Sequence, residues 1–318
     1  MSKIGKIIPK PIKAGVLWIV RRPEKLKIKI YQAAANGRIP FPDKAFQKWD
    51  YKIHTGRKLN IKNPILYPEK LQWLKYYYHN PLFTKMVDKY EVREWIKNKI
   101  GEQYLVPLYG VYDSFDEIDF SKLPSQFVMK CTHDSGSYII CQNKDALNYD
   151  EAKEKLESAL RVNHFYRSRE WPYKNVKPRI IIEKYMFNDD GSDVKDYKFF
   201  CFDGKVKIFQ VNSERWSETG TKVNFYLPPW NSIEIYDAGY DKSEFELEKP
   251  EQLEEMMQLA EKLSKELKPH VRVDFNLFNN QIYFGELTFY HCGGRKLFEP
   301  YEANMMFGEW LDLPPKIR

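Results

Sequence analysis

The sequence has few cysteines, and none of them lies close to another. The four in its 318 residues are Cys131, Cys141, Cys201 and Cys292, with no C-x-x-C pair among them. Zinc ribbons and small disulfide-bonded domains need closely spaced cysteines, so this spacing favours neither class. It is typical of a protein of the reducing cytoplasm, which is the location we predict.

The chain also lacks long apolar runs. The longest run near its start, residues 14–20, falls far short of the about 20 residues that a membrane-spanning helix needs. No small-residue cleavage site follows it, so we predict neither a membrane span nor a signal peptide. Signatures of several enzyme classes are missing as well. We find no Rossmann glycine fingerprint, no D-x-D pair of the kind many glycosyltransferases carry, and no G-x-S-x-G elbow.

The excess of positive charge is small. A net charge of +7, with 43% hydrophobic and 30% charged residues, describes a globular protein whose length predicts about two domains. This charge suits anionic small molecules or an anionic membrane surface, and we predict no nucleic-acid partner. Residues 1–30 hold nine lysines and arginines against one acid, with Leu17, Trp18 and Ile19 among them. Two interpretations stay open for this segment: peripheral contact with the inner face of an anionic membrane, or a solvated arm.

Helical and strand patterns alternate along the rest of the chain, which predicts an α+β fold. Residues 31–68 contain several prolines and no long periodic segment, so we expect loops and short helices there. Helical spacing of apolar residues is found at 69–79, 81–88, 90–99, 150–168 and in the segment after Pro250. Strand patterns are found at 105–112, 126–130, 138–141 and 179–186, and 196–211 reads as a hairpin that turns at Asp203-Gly204. We divide the chain into a basic arm and irregular region (1–68), a helical and strand region (69–112), and two α+β subdomains (113–183 and 184–318).

Residues 271–289 read as a β-hairpin with chemistry on one face. Two runs of β-branched and aromatic residues flank Asn279-Asn280, a pair typical of hairpin turns. The two-residue period puts Arg272, Asp274 and Asn276 on one face of the first run. The core face would hold Val271, Val273, Phe275, Leu277, Tyr283, Leu287 and Phe289.

The register of this hairpin decides whether it forms a metal site. A regular two-residue turn would set Glu286 opposite Val273, on the wrong face for Asp274. A three-residue loop, or a bulge at Gly285, would place the two carboxylates side by side. Two carboxylates next to an arginine suit Mg²⁺ with phosphate oxygens. The competing interpretation is a solvated hairpin face with an Arg–Glu pair.

Two other strand ends suggest contacts to a nucleotide. Lys130 ends a short strand before a loop containing Ser135, Gly136 and Ser137, whose small side chains would let backbone N–H groups approach phosphates. Residues 183–186, Glu-Lys-Tyr-Met, end a strand of three isoleucines and would offer an edge to a purine ring. An ordinary hairpin turn and an ordinary strand end remain the alternatives.

Taken in order, these motifs resemble the ATP-grasp superfamily. They resemble more closely the TupA-like ATP-grasp proteins found in bacterial surface-polysaccharide gene clusters. The likeness spans residues 65–310, in the runs EKLQWLKYYYHNPLFTKMVDKYEVREWI, FVMKCTHDSGS, REWPY, IIIEKYM, DYKFFCFDGKV and GELTFYHCGG. It implies two α+β subdomains that grip ATP between them, beside a small N-terminal helical region. Residues 113–183 would be the lid, and 184–318 would carry the metal-binding hairpin.

The resemblance also implies residue roles, with ATP and Mg²⁺ bound. Lys89, Lys130 and the loop Ser135, Gly136 and Ser137 would contact the phosphates. Glu183 would accept a hydrogen bond from the adenine amino group, and Lys184, Tyr185 and Met186 would lie at the hinge. Asp196 would hold the ribose, with Asp189 or Asp190 as alternatives. Asp274 and Glu286 would ligate Mg²⁺, and Arg272 and Lys198 would serve catalysis. Substrate contacts are expected from His133, His291, Gly293, Gly294 and Arg295.

The implied activity is a carboxylate–amine ligase that forms an amide through an acylphosphate, in surface-polysaccharide synthesis. Its substrates would be small molecules or glycan precursors. The alternatives are a glycosyltransferase of the same pathway and a sugar-phosphorylating kinase. A fourth possibility is a non-enzymatic scaffold at a membrane. Two departures stand out. Thr288 occupies a position where related ligases often carry a metal-binding asparagine, and Asp134 adds a negative charge to the phosphate loop.

Overall fold

The computed structural model describes residues 23–215, 217–237 and 239–317. Helices in these ranges are α1 (Glu24–Ala35), α2 (Asp43–Thr55), α3 (Tyr67–Tyr77), α4 (Leu82–Val87), α5 (Glu91–Lys99), α6 (Tyr149–Leu160), α7 (Phe165–Ser168), α8 (Leu253–Ser264) and α9 (Tyr301–Trp310). Strands are β1 (Leu108–Tyr112), β2 (Phe127–Cys131), β3 (Tyr138–Cys141), β4 (Ile180–Lys184), β5 (Asp196–Phe202), β6 (Lys205–Ser213), β7 (Lys222–Leu227), β8 (Asn231–Ile233), β9 (Tyr236–Asp237), β10 (His270–Phe278), β11 (Gln281–Thr288) and β12 (Phe298–Glu299).

The N-terminal region is more regular than its prolines predicted. Residues 31–68 contain the end of α1 and all of α2, a helix of 13 residues with Phe46 and Tyr51 in its buried face. The expected loops are present at 36–42 and 56–66, but α2 is longer than the short helices expected there. Pro23 and Pro42 precede α1 and α2 rather than interrupting them, a position that proline tolerates because it needs no N–H partner there. Most of the predicted basic arm, residues 1–22, lies outside the described residues.

A four-stranded antiparallel sheet in the order β1-β4-β2-β3 forms the first subdomain. Its own core includes Phe127, Met129, Leu156, Ile180 and Ile182, with α6 packed on β2. β1, which the predicted division groups with the helical region at 69–112, pairs with β4 inside this sheet. The single helix predicted over 150–168 is also interrupted. α6 ends at Leu160, and α7 is a separate short helix.

A six-stranded antiparallel sheet in the order β11-β10-β5-β6-β7-β8 forms the second subdomain. α8 packs against β5, β6 and β10. On the other face, the end of the sheet at Phe202 is covered by Tyr67 of α3 and Phe307 of α9. Along β5 that face therefore changes from aromatic at Phe202 to charged at Lys198, where no helix covers it. This uncovered half of the sheet faces the first subdomain.

The hairpin β10–β11 has the bulged register. Asn279 and Asn280 form a two-residue turn with φ of 48° and 61°, the left-handed values that a type I′ turn requires. Asp274 pairs with Glu286 and Phe275 with Phe284, which leaves Gly285 as the extra residue of a bulge. The prediction of adjacent carboxylates is confirmed. The placement of Tyr283 in the core face was wrong, because beyond the bulge Ile282 and Phe284 take the apolar positions and Tyr283 lies opposite Asn276.

Candidate active site

A cleft of about 1580 Å³ lies between the two sheets. Its walls come from β2, β3 and β4 on one side and from β5, β10 and β11 on the other. It brings together residues that are far apart in the sequence. The predicted site residues that line it are Lys89, Lys130, Ser135, Gly136, Ser137, Glu183, Lys184, Tyr185, Met186, Asp196, Lys198, Asp274 and Glu286.

Asp274 lies at the centre of a buried ion network on the hairpin face. Arg272 donates from Nε to Oδ1 and from Nη2 to Oδ2, both at 2.7 Å. Lys198 Nζ donates to Oδ2 at 2.7 Å from the neighbouring strand β5. Burial alone would raise the pKa of Asp274, but the charges and hydrogen bonds of Arg272 and Lys198 outweigh it and lower that pKa. The carboxylate is therefore held ionised.

Glu286 completes the pair of carboxylates and reaches into the cleft. Its Oε1 accepts from Arg272 Nη2 at 3.1 Å and from the Thr288 hydroxyl at 2.7 Å. Its Oε2 accepts no hydrogen bond from any residue in the described ranges, and 48% of its side chain is exposed. Thr288 also accepts from Arg272 at 3.0 Å, so it orients Glu286 and Arg272. Asn276 lines the cleft beside it and donates to Asp196.

The opposite wall carries the cations and small residues expected around phosphates. Lys89 Nζ donates to the backbone carbonyl of Asp134, and burial lowers the pKa of Lys89. The Ser137 hydroxyl donates to one carboxylate oxygen of Asp134, whose other oxygen is buried without a partner among the described residues. One oxygen of the Asp134 carboxylate is thus bound by a residue of its own loop. Gly136 has φ of 103°, a left-handed value that favours glycine at the tip of this loop.

The strand end at Glu183 is an ion network as well. Glu183 is 6% exposed, and it accepts from Lys130 at 2.9 Å and from Arg93 at 2.8 Å. Arg93 also lines the cleft, and sequence analysis missed it. It lies on α5, and no local pattern shows that this helix faces the end of β4. Lys184, Tyr185 and Met186, the predicted hinge residues, follow directly along the cleft wall.

Of the acids considered for the ribose, the structure brings Asp196 into the cleft. Its carboxylate accepts from Asn276 and from Arg215, the latter at 3.1 Å. Asp189 and Asp190 belong to the loop after β4 and do not line the cleft. Asp193 of the same loop does line it and was not predicted.

Comparison with known proteins decides the family. A family model described as TupA-like ATP-grasp matches residues 69–312, more than three quarters of the chain. The chain belongs to the TupA-like ATP-grasp family. The predicted resemblance and the predicted α+β ATP-grasp fold class are confirmed. A search of curated proteins found no match to the chain.

Several solved structures are similar to this TupA-like chain. One is D-alanine–D-alanine ligase from Bacillus anthracis complexed with ATP, at 18% identity and a TM-score of 0.37, with 64% of this chain and 54% of that chain covered. Another is the ATP-grasp ligase PsnB complexed with a minimal precursor, at 9% identity and a TM-score of 0.40, with 74% and 59% covered. The chain thus spans less than two thirds of the length of these structures.

Five predicted substrate residues of this TupA-like protein lie outside the cleft lining: His133, His291, Gly293, Gly294 and Arg295. His133 is 2% exposed and contacts the backbone carbonyls of Ala159 and Val162, and its role in substrate binding stays a prediction. The carbonyls of Gly293 and Gly294 accept from Gln72 at 3.2 and 2.8 Å. These glycines therefore face α3 and not the cleft, and Arg295 lies 3.7 Å from Asp50 on α2.

His291 lies directly behind the hairpin β10–β11. Its Nδ1 is 2.8 Å from Nη1 of Arg272, and its Nε2 is 3.3 Å from Oδ2 of Asp237. Because an arginine only donates, Nδ1 must accept and Nε2 must carry the proton. The nearby Cys292 makes the group resemble a metal cluster, with ligand atoms within 4.8 Å of one another. Since Nε2 holds a proton, we interpret the group as a hydrogen-bond relay that holds Arg272. Sequence analysis missed Asp237, which reaches His291 only through tertiary packing.

In the described part of the chain, we find no helix long and apolar enough to cross a membrane.

Proposed function

We propose that this protein is an ATP- and Mg²⁺-dependent carboxylate–amine ligase acting on a precursor of a surface polysaccharide. The observation that supports it best is the pairing of Asp274 with Glu286 across the bulge, facing a wall of lysines. A cleft with carboxylates at one wall and ammonium groups at the other suits a metal–triphosphate. The polysaccharide context comes from the family resemblance, and the reaction type from the chemistry of this site.

The residues present fit both Mg²⁺ and ATP. Mg²⁺ prefers oxygen ligands, and Glu286 offers an Oε2 that accepts no bond from the described residues, beside the ionised Asp274. Lys89 and Lys130 lie on the opposite wall, where the phosphates would bind. The buried, unpartnered Oδ1 of Asp134 needs a donor or a cation in the occupied site. When bound, Mg²⁺ would neutralise charge on the phosphates.

The task of the protein in such a reaction is to position groups and balance charge. A carboxylate is a poor electrophile, and transfer of a phosphoryl group to it forms an acylphosphate that an amine attacks. Lys89, Lys130 and Lys198 would hold the phosphates in line and offset their charge. Arg272 would hold Asp274 and Glu286 side by side in a fixed orientation and offset the repulsion between their charges, since it bonds both.

The test is a screen of ADP release by the purified full-length protein, with Mg²⁺ and ATP, against panels of uronic acids and amino acids. We expect ADP release that needs both a carboxylate and an amine, with an amide product detected by mass spectrometry. Glu286→Gln should abolish it while leaving the fold intact. The proposal would be contradicted if the protein bound no ATP, either without metal or after Mg²⁺ is added. ADP release without an amine, with a stable phosphorylated sugar, would show a kinase instead.

A further inference from the structure

A second recess lies away from the nucleotide cleft, between the N-terminal helices and the segment after α6. It encloses about 320 Å³. Its walls come from α2, α3, α7 and the residues just after α3 and α7. The side chains used below are Gln47, Lys75, His79, Arg169, Trp171 and Lys174. We call this the N-terminal recess.

Two buried polar groups in the N-terminal recess have unused hydrogen-bonding capacity. Lys75 is 2% exposed, and its ammonium donates to the carbonyls of Ser168 and Gly293, both at 2.7 Å. An ammonium has three N–H groups, and no described carboxylate lies within 4.0 Å of this one. Gln47 is 1% exposed, and its Oε1 has no partner among the described residues. Buried polar atoms are normally satisfied, so both groups call for a ligand atom.

The charge of the recess selects the kind of ligand. Arg169 is paired with Asp43 at 2.9 Å, so these two charges offset each other. Lys75 and Lys174 have no carboxylate within 4.0 Å in the described ranges, although the more distant carboxylates of Asp50 and Glu170 also act on Lys75. Burial lowers the pKa of Lys75 to about 8, and the negative charges of Asp50 and Glu170 offset this only in part, so Lys75 lacks a counter-ion in direct contact. An anionic ligand would supply that counter-ion.

One wall of the recess carries a flat aromatic surface formed by His79 and Trp171. The rings of Trp171 and His79 are stacked with centroids 4.8 Å apart and an angle of 8° between their planes. The two rings cover each other's inner faces, and an outer face of such a pair is a flat apolar surface on which the C–H face of a sugar ring can pack. A ring hydroxyl can donate to Gln47 Oε1 and can also accept from Lys75, which neither a simple anion nor an apolar ring can do.

We propose that the N-terminal recess binds an anionic sugar, a hydroxylated ring that carries a carboxylate or a phosphate. Its role as a substrate subsite rests on the proposed function, whereas the binding itself does not. The recess is connected to the active site by short contacts. Lys75 bonds the carbonyl of Gly293, two residues after His291, which bonds Arg272 at 2.8 Å.

Calorimetry on the full-length protein tests this with four probes: glucuronate, glucose 1-phosphate, glucose and inorganic phosphate. We expect both sugar anions to bind at least about tenfold more tightly than glucose or phosphate, a difference of about 1.4 kcal/mol. Lys174→Glu and Lys75→Met should each weaken the binding of sugar anions by about tenfold or more. Lys207→Glu, the same charge change at an exposed site on β6, should leave it within about twofold.

The outcomes separate this proposal from the proposed function. The proposal for the recess would be overturned if sugar anions bound no more tightly than glucose. It would also be overturned if they bound Lys174→Glu as tightly as the unaltered protein. Equal binding of phosphate and glucose 1-phosphate would show an anion site that does not recognise sugar. If Lys75→Met fails to fold, Lys174→Glu and Trp171→Ala decide, because Lys174 is exposed and Trp171 is half-buried. If the unaltered protein did not bind Mg²⁺–ADP, the proposed ligase function would be contradicted, but the result for the recess would still hold.

Discussion

The buried carboxylate of Asp274 offers the sharpest test of the site, through the substitution Asp274→Asn. Asparagine keeps the shape of the side chain but removes the charge between Arg272 and Lys198. Its amide group would also place N–H donors against two cations that only donate. The three side chains involved are 4%, 9% and 15% exposed, so water screens the network little.

The expected loss of stability follows from this burial. Removing one partner of a buried ion pair costs about 3–5 kcal/mol, because the other charge is left uncompensated. Arg272 keeps a second carboxylate, Glu286, at 3.1 Å, which places the expected loss near the lower end, about 3 kcal/mol. For a chain of this size each kcal/mol lowers the melting temperature by roughly 2 °C, so we expect a fall of roughly 6 °C at pH 7.

The pH dependence has a defined sign. The pKa of Asp274 is lowered in the folded protein, and an unfolded aspartate titrates at about 3.9. The stabilisation is therefore fully present above about pH 4 and is lost as the pH falls through the lower folded-state pKa. The stability difference between the unaltered protein and Asp274→Asn should be constant from pH 5 to about pH 8 and should shrink below about pH 4.

Calorimetric unfolding of both proteins across this pH range measures the effect. Asp116→Asn is the matched control, since Asp116 forms an ion pair with Lys153 at 2.5 Å but is 71% exposed. We expect the control to change stability by less than about 1 kcal/mol. An Asp274→Asn protein as stable as the unaltered one at pH 7, or a difference that persists unchanged in acid, would refute the reasoning from the buried network.

Three further predictions concern the cleft and the groups behind it. Lys89→Met and Lys130→Met should each weaken ATP binding by about tenfold or more, since a hydrogen bond to a charged group contributes about 1.5–3 kcal/mol, and calorimetry without acceptor measures this. Unchanged affinity in both would place the phosphates elsewhere. Gly285→Val should weaken Mn²⁺ binding in electron paramagnetic resonance titrations, because a Cβ there would lie 3.1 Å from the Asp274 carbonyl oxygen and would push the two strands apart. Equal Mn²⁺ affinity would contradict the metal site at the bulge. His291→Leu should lower kcat more than it raises KM for ATP, by about tenfold. His291→Asn should restore part of the loss, because its oxygen can accept from Arg272, and equal losses in both variants would argue against the relay.

The local chemistry of the hairpin was predictable because buried and exposed residues alternate along a strand with a period of two residues. Val273 and Phe275 alternate with Arg272 and Asp274, and only a register with a loop of three residues or a bulge keeps charges off the core face. The pattern did not choose between those two alternatives. Asn279 and Asn280 tolerate left-handed backbone angles, which allows the two-residue turn, so the extra residue falls at Gly285.

Residues that reach the site through tertiary packing were not predictable in this way. Arg93 and Asp237 lie on segments whose own patterns show only a helix and a short strand. Their partners Glu183 and His291 are 90 and 54 residues away in sequence, respectively, and no period links such distances. The pairing of β1 with β4 was missed for the same reason. The order of segments along the chain does not state which sheet a strand joins.

Thr288, which stands where related ligases often carry an asparagine, is explained by the hydrogen bonds around Arg272. Arg272 places its Nη2 near Asp274, Glu286 and Thr288 at once, at 2.7, 3.1 and 3.0 Å. A threonine hydroxyl both accepts from this guanidinium and donates to Glu286, whereas the amide N–H of an asparagine oriented as a metal ligand would face the arginine. Arg272 is held in turn by His291 and Asp237, so it cannot swing away. The carboxylates of this site are therefore oriented by protein donors from behind, and the oxygen of Glu286 that faces the cleft is left for a cation.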